Sequence, residues 1–316
     1  MSHQTHAVSL IIPTYNRAGL LAAALDSVLS QSRVPDEIIV VNDGSTDQTA
    51  DVLARYAPAV TAIHQGNNGR SHARNAGIRA AQGDLIAFLD DDDLLPPESI
   101  AQRAAYLETH PDVDVVYTDM RAVDESGEIL GALSKINPQR PSGDVFAAIA
   151  HSNLAQINAF MCRRACLDRP DLFDEALSIA EDWDFWIRIA ADHHFGYLDA
   201  PLAYYRVHRG MTSANSRDQL AEGGIAVQRR VFALPAFQRL APKAQARIYQ
   251  RHATWHIRLN ALATARHYYR RAITTAPDYL PPYGLLALLS LFGWALPDFR
   301  RNRLARQVLH LRKLHR

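Results

Sequence analysis

The sequence predicts an α/β fold in which a mostly parallel sheet lies between layers of helices, with a helical region behind it. Apolar strand patterns alternate with helix-forming segments through about the first 90 residues, which is typical of βαβ units in a three-layer α/β/α sandwich. One strand runs directly into four aspartates, Asp90 to Asp93. From about Asp218 the alternation stops and the chain becomes helical in pattern. We therefore expect two domains, residues 1–217 and residues 218–316.

Four short apolar runs bounded by turn residues predict buried strands: residues 8–13, 37–41, 60–64 and 84–89. Apolar residues at helical spacing predict helices between these strands: residues 18–31, about 47–56 and 71–82. Further along, residues 99–110 favour a helix, residues 114–119 a strand and residues 124–128 a hairpin turn. Residues 203–208 predict a strand that ends in a histidine.

Composition excludes some classes of function. A hydrophobic content of 48% in 316 residues predicts a sizeable core, and a net charge of +1 indicates no general attraction to nucleic acid. Cys162 and Cys166 match no disulfide framework or zinc pattern, which favours a reducing compartment. The polar start lacks signal-peptide features, and no apolar run reaches about 18 residues. We therefore expect a cytoplasmic protein without a membrane-spanning helix.

The four aspartates end an apolar run and precede two prolines, Pro96 and Pro97. Four adjacent carboxylates repel one another, but a hard cation such as Mg²⁺ or Mn²⁺ explains them, because it takes oxygen ligands and shares them with phosphate. A solvated acidic loop is the alternative. An EF-hand is excluded, since Leu95 and Ala101 stand where glycine and glutamate are needed. The chain has no glycine-rich phosphate loop, so carboxylate-held metal would have to neutralise any bound phosphates.

Four segments in this order and spacing, residues 9–16, 37–47, 73–77 and 88–93, resemble family 2 glycosyltransferases with the GT-A fold. The resemblance extends over roughly residues 7–215. It implies a metal-dependent hexosyltransferase that inverts the anomeric carbon and uses Mn²⁺ or Mg²⁺. The expected donor is a nucleotide sugar, a UDP-sugar in the first instance. The expected acceptor is a hydroxyl of a surface glycan or of a lipid-linked sugar.

The resemblance also implies donor-binding residues. Pro13 and Tyr15 would form the floor of the nucleotide pocket, and Asp43 would accept a hydrogen bond from the base. Arg74 would place a fixed positive charge near the nucleotide. From the residues alone, Asp43 can also be interpreted as a helix-capping aspartate in a turn.

The acidic run corresponds to the DxD element of the family, with Asp90 first, Asp91 facing the ribose and Asp92 holding the metal. Many relatives carry a small residue in the middle position, so which of the three aspartates touches metal stays open. Arg206 and His208 correspond to a segment that returns to the diphosphate, where the histidine completes the metal shell. A lone histidine is otherwise more often structural.

Glu181 and Asp182 precede an aromatic-rich helix, and the resemblance makes Asp182 the general base that takes the acceptor proton. Without the resemblance, acids in a first helical turn are explained by the helix dipole. Residues 210–216 would form a flexible lid.

The C-terminal region predicts one tetratricopeptide-like helix pair, from the spacing of Ala253, Ala265, Tyr269 and Ala272. The arginine-rich residues 300–316 carry leucines at helical spacing. This pattern fits a helix on the inner membrane surface and equally a packed helix with a solvated basic side. Two other functions remain open: sugar nucleotidyl transfer, and a non-catalytic module that binds sugar nucleotides or proteins.

Overall fold

The computed structural model describes residues 6–132, 140–208 and 217–292, which contain eight strands and eleven α-helices. The strands are β1 Val8–Thr14, β2 Glu37–Asn42, β3 Thr61–His64, β4 Leu85–Phe88, β5 Val115–Val123, β6 Ile129–Ala132, β7 Phe160–Arg163 and β8 Phe195–Arg206. The helices are α1 Ala18–Leu29, α2 Thr49–Tyr56, α3 Arg70–Ala80, α4 Ser99–Thr109, α5 Phe146–His151, α6 Glu181–Ala190, α7 Arg217–Val231, α8 Pro235–Arg239, α9 Pro242–Arg258, α10 Leu262–Thr275 and α11 Pro281–Phe292. Single 3₁₀ turns lie at Ile157–Ala159 and Arg164–Leu167.

The strands form one sheet in the order β3-β2-β1-β4-β7-β5-β6, and β8 pairs with β5. Strands β1 to β4 are parallel to their neighbours in that set, as expected from βα alternation. Strand β7 runs antiparallel to both β4 and β5, whereas β8 is parallel to β5. The sheet is therefore parallel in its N-terminal half and mixed in its second half.

Residue alternation along β1 shows how the layers form. Leu10 and its neighbours on one face join a core with apolar residues of α1, α2 and α4. Ile11 faces the other way and packs on α3, where a Cβ on Gly77 would come within 2.4 Å of it, so glycine allows this close approach. On that same face, Phe88 packs edge-on against Phe173 and Phe185. Helices on both faces confirm the predicted three-layer fold.

Strand β8 begins at Phe195, eight residues before its predicted start, and ends at Arg206. Asp199 and Pro201 interrupt the apolar pattern, and the pairing with β5 shifts register there. The histidine predicted at the strand end, His208, lies two residues beyond it. The hairpin turn is confirmed, because the Asp124 backbone N donates to the Glu128 carbonyl between β5 and β6.

The chain divides into two compact units, Met1–Ala214 and Asn215–Arg316. The described part of the second unit is helical, and its helices α9 and α10 are joined by a short turn in which Asn260 has a φ of 59°. Ala253, Ala265 and Tyr269 are fully buried between them. Among the described residues, no helix combines the length and apolar character required to cross a membrane. The predicted lid and the basic tail lie outside the described residues.

Candidate active site

The predicted site residues gather at one edge of the sheet, where β1, β2 and β4 end. Thr14, the last residue of β1, pairs with Asn42 at the end of β2. Asp43 follows β2 directly, and Asp90 follows β4 after one intervening residue. In open α/β sheets, ligands bind beyond the carboxyl ends of the strands, so this edge is the candidate site.

Pro13 and Tyr15 lie on either side of the last residue of β1. Pro13 is buried and pairs with Val41 of β2. Tyr15 is 43% exposed. The aromatic ring is therefore open to solvent at this edge, whereas the proline shapes the backbone beneath it.

Asp43 is buried and holds the turn in front of α3. Its Oδ1 accepts hydrogen bonds from Gln65 Nε2 at 2.7 Å and from the Asn68 backbone N at 2.9 Å. Its Oδ2 accepts one from the Gly69 backbone N at 2.8 Å. A carboxylate offers about four lone-pair sites, so this turn-holding role leaves room for one further donor.

Asp90 and Asp91 have different partners. Asp90 accepts a hydrogen bond from Arg74 Nη2 at 2.6 Å. Asp91 is buried and accepts one from Thr14 Oγ1 at 2.7 Å. Burial raises the pKa of Asp91 to about 7, and the neighbouring charge of Asp92 adds to the effect. Asp91 is thus fixed against the end of β1.

Asp92 contacts both an arginine and the predicted histidine. Arg17 Nη1 donates a hydrogen bond to Asp92 Oδ2, and His208 Nε2 lies 3.1 Å from the same oxygen. His208 Nε2 also lies 3.4 Å from Arg17 Nη1. The structure therefore brings together the two residues predicted as metal ligands.

Asp93 is the most deeply buried aspartate of the run. Its Oδ2 accepts a hydrogen bond from Asn158 Nδ2 at 2.9 Å, and its Oδ1 accepts one from the Arg206 backbone N at 2.8 Å. Burial, together with the charge of Asp92, raises the pKa of Asp93 well above its usual range. Asp93 thus joins the acidic turn to the end of β8.

The guanidinium of Arg206 is buried, and within the described part of the chain its Nε and Nη2 have no hydrogen-bond acceptor. Burial lowers the pKa of Arg206, although Asp93 and Asp92 oppose this effect. Leaving buried donors unpaired is costly. An anionic ligand that reached these donors would be stabilised.

Carboxylate oxygens of Asp90, Asp92 and Asp93 lie within 4.8 Å of one another. Three oxygen donors from one turn match the ligands that Mg²⁺ and Mn²⁺ prefer. The donor set therefore fits such an ion. It contains Asp92, as predicted, and adds Asp93, which was not.

Arg74 links three elements beneath the site. It is buried on α3, and its Nη1 donates to Glu181 Oε1 of α6 at 2.9 Å while its Nη2 donates to Asp90 after β4. Burial alone would lower the pKa of Arg74, but Asp90 and Glu181 raise it above its usual value. The predicted positive charge is present, and two carboxylates hold it.

Asp182 lies in the first turn of α6, after Ala180, whose φ of 63° is left-handed. Its Oδ1 accepts from the Trp183 backbone N at 2.7 Å, and Asn153 Nδ2 lies 3.4 Å from its Oδ2. Burial raises the pKa of Asp182 to about 7; the charge of Glu181 adds to the rise, whereas Arg74 opposes it. This carboxylate can therefore exchange a proton near neutral pH.

Several residues in these contacts were not predicted as site residues, among them Thr14, Arg17, Asp93, Asn153 and Asn158. Thr14 and Asp93 adjoin predicted residues in sequence and Arg17 lies two residues beyond Tyr15, so proximity was the available signal for these three. Asn158 sits in a 3₁₀ turn, 65 positions from its partner Asp93. No local pattern marks it.

Comparisons with known proteins place these features in context. The family model described as "Glycosyl transferase family 2" matches residues 9–167. An uncharacterized glycosyltransferase of Rickettsia bellii (strain RML369-C) is 30% identical over 237 residues, covering 74% of this chain and 34% of the relative. The chain therefore spans about a third of the length of this curated relative.

Two solved structures are similar in fold. One is S. aureus TarS 1-349 in complex with UDP-GlcNAc, with 19% identity and a TM-score of 0.66 over 91% of this chain and 92% of that one. The other is the mannosyltransferase PcManGT from Pyrobaculum calidifontis in complex with GDP-Man and Mn²⁺, with 21% identity and a TM-score of 0.61 over 96% and 83%.

The matched region covers half of the chain, from β1 through β7, and includes the acidic turn. The resemblance inferred from the four sequence segments and the predicted fold are therefore both confirmed. The chain belongs to glycosyl transferase family 2 and has the GT-A fold.

Proposed function

We propose that this chain transfers a sugar from a nucleoside-diphosphate sugar to a hydroxyl group, with inversion at the anomeric carbon. The observation that carries the proposal is that two sets of acidic residues lie close together at one edge of the sheet. The acidic turn Asp90–Asp93 is linked to Glu181 through Arg74, and Asp182 follows Glu181. Family membership supports the reaction class, and the two similar structures hold nucleotide sugars, UDP-GlcNAc and GDP-Man.

The donor would lie along the ends of β1, β2 and β4. Tyr15 is exposed there, and Asp43 keeps capacity for one more donor, such as an N–H of a uracil base. Among the described residues, the Nε and Nη2 atoms of Arg206 have no hydrogen-bond acceptor, which suits the oxygens of a diphosphate. A UDP-sugar is our first candidate donor.

Mn²⁺ or Mg²⁺ would be held by Asp92 with Asp90 and Asp93, next to His208. When bound, such an ion stabilises the negative charge that grows on the departing diphosphate. Asp91 accepts a hydrogen bond from Thr14 and is not among the proposed metal ligands. This fits the role toward the ribose that the family implies.

Asp182 would act as the general base. As the acceptor oxygen forms its bond to the anomeric carbon, its proton passes to the Asp182 carboxylate, and the bond from that carbon to the diphosphate oxygen breaks on the opposite face. A base works best when its pKa is near the operating pH, and burial raises the pKa of Asp182 to about 7. Asn153, at 3.4 Å, orients the carboxylate.

The acceptor is proposed to be a surface glycan or a lipid-linked sugar on the cytoplasmic side of a membrane. The support is the acid-free, arginine-rich segment 299–316 with leucines at helical spacing. Such a segment would bind anionic lipid headgroups through its basic side and bury its leucines at the interface.

The proposal is tested by measuring binding and hydrolysis of a panel of nucleotide sugars that includes UDP-GlcNAc and GDP-Man. We expect at least one donor to be bound and slowly hydrolysed with Mn²⁺ or Mg²⁺, and both signals to be lost in EDTA. Asp92→Asn should lose donor and metal affinity together. Asp112→Asn is the matched control, because Asp112 is exposed near the opposite sheet edge.

Other outcomes separate the alternatives. Donor binding at full strength in EDTA would contradict the metal role of Asp92 and His208. Formation of a nucleotide sugar from a nucleoside triphosphate and a sugar phosphate would instead indicate nucleotidyl transfer. Binding without hydrolysis or transfer, with any acceptor tried, would favour a non-catalytic module.

A further inference from the structure

A second cluster of metal-binding residue types lies at the sheet edge opposite the active site. Asp114 immediately precedes β5, His193 lies two residues before β8, and Cys166 follows β7 in a 3₁₀ turn. The start of β5 pairs with the end of β7 and with the start of β8. The three side chains, from distant parts of the sequence, thus meet at one place.

Candidate ligand atoms of these three residues all lie within 4.8 Å of one another. His193 Nδ1 is 3.3 Å from Asp114 Oδ2. In a tetrahedral zinc site, a nitrogen and an oxygen each about 2.0–2.1 Å from the ion are separated by about 3.3 Å. The observed separation is compatible with two ligands on one Zn²⁺ ion.

The surroundings hold this arrangement in place. The carboxylate of Asp114 also accepts a hydrogen bond from the His194 backbone N at 3.0 Å, and the Asp114 carbonyl accepts one from the Arg163 backbone N at 2.8 Å. Cys166 is buried, whereas the side chains of Asp114 and His193 are about a third exposed. An ion therefore has a path from solvent, and the pairing of β5 with β7 and β8 keeps the segments that carry its ligands close together.

The chemistry of the three ligands points to one class of metal. A thiolate, an imidazole and a carboxylate are together softer than the oxygen ligands that Mg²⁺ and Mn²⁺ prefer, and they match Zn²⁺. A thiolate and a carboxylate carry two negative charges, which balance a divalent cation. The cysteine spacing predicts no zinc site, because the other two ligands come from segments 52 positions before and 27 after Cys166.

We propose that Asp114, Cys166 and His193 bind one Zn²⁺ ion, with the fourth position open to water or a small ligand. The ion joins the starts of β5 and β8 to the end of β7. It is separate from the proposed active site, since the acidic turn lies beyond the end of β4 and Cys166 lies beside its start.

The test uses untagged protein of residues 1–316, stripped of metal and titrated with Co²⁺ as a spectroscopic probe, then with Zn²⁺. Excess Mg²⁺ is included so that the acidic turn does not take up Co²⁺. We expect one equivalent of Co²⁺ to give thiolate-to-cobalt charge-transfer absorption that Zn²⁺ abolishes. Cys166→Ala should lose this absorption, while Cys162→Ala, the same change at the other buried cysteine, should keep it.

A second pair of variants keeps the test decisive if Cys166→Ala misfolds. His193→Gln should weaken Co²⁺ binding by more than the roughly 10–100-fold lost when a residue behind a ligand is removed. His194→Gln, at the adjacent exposed histidine, should bind as wild type does. The proposal is overturned if the wild-type protein gives no thiolate absorption, or if His193→Gln binds Co²⁺ as tightly as His194→Gln.

Discussion

Two charges of opposite sign act on the carboxylate of Asp182. Glu181 adjoins it in sequence and disfavours its ionised form, as burial does, whereas Arg74 favours the ionised form; the resulting pKa is about 7. Asp92, by contrast, is held by Arg17 and His208. The two carboxylates therefore have different surroundings, which suit the roles proposed for them, a proton acceptor for Asp182 and a metal ligand for Asp92.

Asp182→Asn should separate these tasks. The amide keeps the shape of the side chain but removes its basicity, so turnover should fall by roughly 10²–10⁴-fold while donor affinity stays within a few-fold. Turnover is measured as nucleotide release with acceptor present, and donor affinity by titration calorimetry. Asp192→Asn, an exposed carboxylate just beyond α6, is the control and should behave as wild type.

Two results would reassign Asp182. Normal turnover in Asp182→Asn would move the base elsewhere, with Glu181 and Asp184 as the next candidates. Loss of donor binding with turnover preserved at saturation would assign Asp182 to the nucleotide site.

The pH profile of kcat should report the same residue. A general base acts only when ionised, so a pKa of about 7 predicts turnover that is level above pH 7. It should fall about tenfold per pH unit below pH 7. Asp182→Asn should lose this acidic limb and keep a flat residual rate. A wild-type rate that rises on acidification through pH 7 would have the wrong sign for this assignment.

At the scale of elements, Arg74 connects α3 to α6 and to the end of β4. Its guanidinium spans from Glu181 to Asp90, and its carbon atom Cζ lies 5.3 Å from the centre of the Phe173 ring. Glu181 is buried. Removing the arginine would leave that carboxylate without its principal counter-charge.

Arg74→Met should therefore lower the free energy of unfolding by about 3–5 kcal/mol, the usual loss when one partner of a buried ion pair is removed. Urea denaturation measures this loss, and Arg79→Met, an exposed arginine on the same helix, is the matched control. Adding Glu181→Gln to Arg74→Met should restore part of the stability, because the unpaired charge is then gone. Equal stabilities of Arg74→Met and Arg79→Met would contradict the bridging role.

Elements that are short apolar runs could be predicted closely from sequence. Strands β1, β2 and β4 lie within one residue of their predicted bounds, because both faces are buried and the apolar pattern is continuous. The start of β8 could not be predicted, since Asp199 and Pro201 break the pattern and the strand is held by pairing with β5. The local apolar pattern predicts the bounds of a strand only where consecutive residues of that strand are buried.

At the scale of the whole molecule, the candidate site depends on contacts between residues that are far apart in the sequence. Arg74 and Glu181 are 107 positions apart, and Asn158 and Asp93 are 65 apart. Family resemblance supplied Arg74 and Glu181 but not Asn158. Arg74 lies in one of the four matching segments and Glu181 belongs to the acidic pair before an aromatic-rich helix, whereas Asn158 belongs to no such pattern. The residue types were therefore predictable, whereas their partners required the three-dimensional structure.

Charge is unevenly distributed along the whole chain, although the net charge is only +1. Residues 299–316 contain no acid. Deleting residues 300–316 should abolish sedimentation with vesicles that contain phosphatidylglycerol and leave donor hydrolysis nearly unchanged. Binding by the full chain should weaken as salt rises, because the attraction is electrostatic.

Variants of the tail separate its two expected contributions. Replacing Leu304, Val308 and Leu311 by serine keeps every charge and should still weaken vesicle binding, since the apolar face is lost. Equal sedimentation of the full and truncated chains, or failure of the truncated chain to fold, would favour a packed C-terminal helix.

The contacts of Asp93 have a consequence for how the protein is made. Its two partners, Asn158 and the Arg206 backbone N, are 65 and 113 positions further along the chain. At synthesis rates of about 5–20 residues per second, Arg206 leaves the ribosome roughly 6–23 s after Asp93. Strands β1 to β4 can pair during that interval, but the two hydrogen bonds of Asp93 cannot both form until Arg206 is available. The candidate active-site edge can therefore close only after Arg206 has emerged from the ribosome.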